Sequence, residues 1–167
     1  MMQDVKFTGL NELQKYVGTL EANHRQMLLE VAGETLISLT QERFALGKDP
    51  YDQPWKQSRR ARDQGGQTLR DNGVLRNSFT WELNGTDSLI YGTNIKYAAI
   101  HQFGGEITPK KKFLKFSSGG KTIFAKKVTM PKRAMLPDER GDPPAYDLEL
   151  KESLEAALNA TLQKAGA

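Results

Sequence analysis

Apolar positions along this chain follow two periods, helical toward both ends and alternating through the middle. Leu10, Leu13, Val17 and Leu20 form one stripe behind Thr8, which predicts a short helix capped by the Thr8 side chain. A longer stripe runs through Met27, Leu28, Val31, Ala32, Thr35, Leu36 and Leu39, predicting a helix over 21–46 that Gly47 ends. Gly33 lies inside it at a cost of about 1 kcal/mol against alanine, which points to a close packing contact and not a hinge. Leu75, Phe79, Trp81 and Leu83 then alternate with Arg76, Ser78, Thr80 and Glu82, the pattern of a strand over 75–83. Asn84-Gly85 predicts a hairpin into a returning strand at 88–91. Next, Asn94 is placed to cap a short helix with Tyr97, Ile100 and His101 on one face and Phe103 just beyond. Gly104-Gly105 supplies the positive φ that ends it. A second hairpin follows over 106–131, with strand-like pieces at 106–108 and 113–116 and a Ser117-Ser118-Gly119-Gly120 turn. Pro131, Pro137, Pro143 and Pro144 exclude regular structure until Asp147, expected to cap a last helix carrying Leu150, Leu154, Ala157, Leu158 and Thr161.

Together these elements predict an α+β fold over 1–167 as a single domain: a small antiparallel sheet with a hairpin arm, packed by a long N-terminal helix and a C-terminal helix. The polar stretch 47–71 is long for a loop inside a compact domain, so it reads as functional or partner-ordered. Trp55, after Pro54, is expected to pin this loop to the core. Arg59, Arg60 and Arg62 within it fit either a phosphate or carboxylate binder or a solvated loop.

Hydrophobic residues make up 38% of the chain, low for 167 residues, so part of it is expected to be loop or to order only against a partner. The absence of cysteine excludes disulfides and thiolate metal sites. No run approaches the roughly 20 apolar residues of a membrane span, and no signal-peptide pattern opens the chain, so a soluble protein made in a cytoplasm is expected. The net charge of +4 is unevenly placed: 105–133 is net +8, while 1–42 and 134–167 are net −3 and −4. Acidic helical ends beside a basic β segment point to self-assembly or an anionic partner, or to separately solvated faces. The basic segment holds Lys110, Lys111, Lys112, Lys115, Lys121, Lys126 and Lys127, with Phe113 and Phe116 interleaved. Such lysines can neutralise phosphates without reading sequence, or guard a sheet edge and serve a subunit interface. His101 has the pKa of a general base, yet Glu106, Asp87 and Ser78, its available partners, lie in no recognisable motif. A histidine beside an apolar helical face reads better as buried and hydrogen-bonded. The expectation is therefore no enzyme, no catalytic or metal-ligating residue and no cofactor.

Tyr97-Ala98-Ala99-Ile100-His101-Gln102-Phe103-Gly104-Gly105, after Tyr91-Gly92-Thr93-Asn94, resembles the phage virion morphogenesis family, the tail-completion or neck proteins of Mu-like and related tailed phages. Asp52-Gln53-Pro54-Trp55 is similar to that family's Gly-x-Pro-Trp loop, with Gln53 where a glycine is common. Asn72-Gly73-Val74-Leu75-Arg76-Asn77-Ser78-Phe79 resembles its Gly-x-Leu-x-x-Ser strand entry. Met130-Pro131-Lys132-Arg133-Ala134-Met135-Leu136 stands where the family has Pro-x-Arg-Pro-Phe-Leu, with Ala134-Met135 replacing Pro-Phe. The resemblance implies a structural virion protein at the neck or tail end, assembled in the host bacterial cytoplasm. It also implies copies closing into a ring, six being the family-like expectation, against other neck and tail proteins, with possible non-specific contact to genomic DNA. Trp55, Tyr97, His101, Phe103 and Gly104 would then be structural motif residues. The alternative is a basic nucleic-acid-binding accessory protein.

Overall fold

The computed structural model describes residues 7–110, 112–118 and 120–165. Among the described residues, five α-helices and six short strands confirm the α+β class, but the strands form three two-stranded antiparallel ladders and not one small sheet. Contacts divide the chain into two compact units: Met1–Leu39, Phe79–Gly92 and Glu139–Ala167 in the first, Thr40–Ser78 and Thr93–Asp138 in the second.

The first unit is mainly helical. Helix α1 (Leu10–Val17), the leading part of α2 (Ala22–Leu46) and α5 (Pro144–Ala165) bring Leu13, Leu28, Leu154 and Leu158 into one buried cluster. Thr8 does not cap α1; Gly9 holds that position, and the Thr8 amide and hydroxyl donate to the Glu12 carboxylate at 2.9 and 2.7 Å. The carboxylate thus reaches back over the first turn to the residue before the N-cap, and those donors hold Glu12 below its usual range. Strands β1 (Thr80–Asn84) and β2 (Ser88–Gly92) form the expected hairpin, with Gly85 at φ +73 in its turn. The first strand starts later than its alternation suggested, because Arg76–Ser78 forms a 3-10 turn in the second unit. Gly33 is a close packing contact: a Cβ there would lie 2.3 Å from the Trp81 ring. Trp81 Nε1 donates to Glu34 at 3.0 Å, and the Tyr91 hydroxyl to the Leu36 carbonyl at 3.2 Å, fixing the hairpin on α2. Helix α5 begins at Pro144, ahead of the expected Asp147 cap. Proline suits a first helical turn, where no N–H is needed and its φ is already helical; the Tyr146 and Asp147 amides bond to the Pro143 carbonyl.

The second unit is built on loops held by buried polar groups. Gly47, at φ +68, ends α2 as expected. The buried Asp49 carboxylate accepts from the Tyr51 and Gln53 amides at 2.9 and 2.8 Å and ties off the following turn. Trp55 is buried, edge-on to Phe44 at 5.2 Å, and its Nε1 donates to the Ala134 carbonyl at 2.8 Å, so it anchors the loop to the core. Part of the expected loop is helix α3 (Arg59–Gln64), capped by Ser58, whose hydroxyl accepts from the Ala61 amide. Helix α4 (Ala98–Phe103) starts after Tyr97 and has no side-chain cap, so Asn94 does not serve as one. It buries Ala98 and Gln102, whereas Tyr97 and Phe103 face outward at 48% and 68% exposure. Gly104 (φ +70) closes it against the main chain of Lys132, where a Cβ would sit 2.7 Å from the amide nitrogen. The arm is two successive ladders: β3 (Gly105–Ile107) with β6 (Val128–Met130), then β4 (Leu114–Ser118) with β5 (Lys121–Ala125).

Candidate interaction surfaces

The β4–β5 register sorts the arm's side chains. Leu114 and Phe116 share a face with their partners Ala125 and Ile123, and that face is only partly covered. Lys115 and its partner Phe124 occupy the other face, where Phe124 is 63% exposed. Phe113 and Phe116 are also exposed, so the tip carries apolar surface between lysines. Lys127 pairs with Glu106 at 2.7 Å, and Lys112 lies over the Phe113 ring at 5.8 Å. Lys110, Lys115, Lys121 and Lys126 are exposed and make no ion pair among the described residues, and Lys111 lies outside them. Phe124 belongs to a different ladder from Val128 and Met130.

Arg59, Arg60 and Arg62 are not on a free loop. On α3, Arg59 and Arg62 both reach Asp63, at 3.3 and 3.2 Å. Arg60 donates to the carbonyls of Gln67 and Arg70 at 2.7 and 2.9 Å and lies 3.5 Å from Asp71. These three arginines line one side of a cleft of ≈ 880 Å³ within the second unit; Tyr97, His101 and Arg133 also line it.

Arg133 is the residue that the periodic reading missed as a site. It is 5% exposed, its Nε donates to the Lys56 carbonyl at 2.7 Å, and its amide donates to the His101 carbonyl at 2.7 Å. Its terminal nitrogens make no hydrogen bond and find no carboxylate among the described residues. Arg43, equally buried, shows the contrast. Burial works against its charge, but Glu42 and Asp52, at 3.2 and 2.8 Å, outweigh that and hold its pKa above the ordinary value. Arg133 has no such compensation, and burial pushes its pKa down. Beside it, half-buried His101 stacks edge-on to Tyr97 at 6.2 Å. Its pKa is lowered, first by burial and then by the charge of Arg133, and its Nδ1 is buried without a partner. The expected hydrogen-bonded histidine is therefore corrected on that nitrogen. Its candidate catalytic partners are engaged elsewhere: Glu106 with Lys127, Asp87 with Arg25, and Ser78 with Thr93 and the Leu75 carbonyl. Gln102, also missed, is buried and clamps the chain at 135–136: Nε2 donates to the Leu136 carbonyl, and Oε1 accepts from the amides of Met135 and Leu136.

Charge follows the division into units. The first unit carries six basic and thirteen acidic residues, net −7, and the second eighteen and seven, net +11, which together give the overall +4.

Residues 5–159 match the phage virion morphogenesis family. The chain belongs to that family. Mu-like prophage FluMu G protein 2 of Haemophilus influenzae is 33% identical over 102 residues, covering 58% of this chain and 69% of the relative. No solved structure matches the chain. As a virion morphogenesis protein it has a part in building a phage particle, and in this chain the segments around Trp55, Tyr97–Gly104 and Arg133 are joined by hydrogen bonds within the second unit.

Proposed function

We propose that this virion morphogenesis protein is a structural component of the neck, where copies close into a ring that completes the tail and joins it to the head. The observation that carries this reading is the arm: a basic two-stranded tip with Phe124 at 63% and Phe116 at 39% exposure. Apolar surface of this kind, rimmed by charge, is the signature of a protein–protein contact. Each ladder is only two strands wide, so the arm offers main-chain donors and acceptors to a neighbour by strand addition. A heterologous contact repeated by rotation closes into a ring, for which six copies are the family-like expectation. Other neck and tail proteins are the further partners, and the host cytoplasm is the place of assembly. Binding and geometry are the whole task on this reading, with no bond made or broken.

The test is a phage or prophage deleted for this chain. Heads and tails should accumulate unjoined or with incomplete tails, and electron microscopy of particles from the complemented strain should show the ring restored. Normal joined particles from the deletion would overturn the reading. The arm's unpaired lysines favour a second reading, non-specific contact with DNA in the channel. Binding of the isolated chain to duplex DNA that falls steeply with salt would support it.

A further inference from the structure

The cleft in the second unit contains a charge without its counter-charge. Burying a guanidinium is costly unless an anion meets it, and Arg133 is 5% exposed with only the Lys56 carbonyl on its Nε. The acids lining the cleft, Asp63 and Asp71, are already engaged by Arg59, Arg62 and Arg60. Lys56 adds a further cation at the rim. Tyr97, Leu75, Phe116 and Met130 add apolar surface to a wall that also carries Gln57, Ser58, Gln64, Asn72, Ser117 and Thr129. A carboxylate carried beside an apolar side chain fits this lining. A duplex phosphate fits it poorly, since phosphates lie on a rigid cylinder and a recessed arginine needs a ligand on a stalk. Bidentate recognition of a carboxylate is also what the planar guanidinium does best.

The chain itself displays such a ligand in its acidic first unit. On α5, Leu148 is 55% exposed, and Glu149 and Glu152 beside it are exposed and unpaired among the described residues. Residues 148 and 152 are one turn apart, so an apolar side chain and a carboxylate project together. We infer that the Arg133 cleft of one copy receives Leu148, Glu149 and Glu152 of a second copy, making α5 the plug and the cleft the socket between neighbours. This rests on the ring reading above and supplies its contact. Plug and socket are made of different residues, so the contact is heterologous and can propagate around a closed ring. The net −7 of one unit and +11 of the other steer the approach.

Sedimentation velocity of the full chain over a range of salt, alone and with tail structures added, reads the contact. E149K/E152K alters only exposed, unpaired positions and should weaken self-association about tenfold or more, as loss of a desolvated charge pair does. Arg133→Gln should do the same from the other side. Combining E149K/E152K with K56E/R62E should restore much of the loss. If the wild type assembles and E149K/E152K assembles equally well, the plug-and-socket contact is overturned and the ring reading stands. If the wild type never associates in either setting, the ring reading falls and takes the contact with it. Oligonucleotide binding that Arg133→Gln abolishes and E149K/E152K leaves untouched would assign the cleft to nucleic acid instead.

Discussion

At the scale of single residues, the second unit depends on polar side chains that replace what regular structure would supply. Gln102 satisfies two amides and one carbonyl across the turn at 135–136. Leaving such groups buried without partners costs about 1–3 kcal/mol each, so Gln102→Leu should lower unfolding stability by about 2–4 kcal/mol in urea titration. His101 gives a pH signature of definite sign. Its folded pKa lies below the ordinary value of 6.5 because of burial and Arg133. The unfolded chain therefore takes up the proton first as pH falls, and stability present above about 6.5 is lost as pH drops toward the folded value. Thermal midpoints compared over that interval should fall further for the wild type than for His101→Gln, and parallel curves would exclude the effect. Neither role was legible in the sequence in full. The Tyr97–Gly104 motif marked the place, but the face it buries is Ala98 and Gln102, one step around the helix from the apolar positions. Arg133 sits in a proline-flanked run without periodicity, and its burial is set by distant loops that no local pattern records.

Among the elements, those with a long period or a strong turn signal were readable. Helix α2 spans Ala22–Leu46 within a residue of expectation, and the Asn84-Gly85 hairpin forms in register. Short elements were not. Helix α3 has six polar-rich residues and one buried position, Ala61, so it carries no stripe to detect. Helix α5 starts at Pro144 because proline, read as a breaker, is equally a good first residue. Gly33 shows a correct sequence inference with a measurable outcome. A Cβ 2.3 Å from the Trp81 ring forces either the hairpin or the helix to shift, and overpacking of this kind costs about 1–3 kcal/mol. Gly33→Ala should be destabilised by that amount, and adding Trp81→Leu should recover part of the loss, a coupling that a double-mutant cycle isolates.

For the whole molecule, composition showed uneven charge but not how completely folding would sort it. The first unit gathers three separate stretches of chain and the second gathers two, so block counts along the sequence understate the contrast between −7 and +11. That contrast and the ring proposal predict that assembly weakens as salt rises, since exposed charges are screened beyond about 8 Å at physiological ionic strength. The chain's two tryptophans have one more consequence. Trp81 stands in one compact unit and Trp55 in the other. Each half of the fold therefore carries its own fluorophore, and removing either indole leaves a molecule whose emission watches a single half. Coincident red shifts from the two variants would mark one cooperative melt, and separated shifts a protein that comes apart in stages.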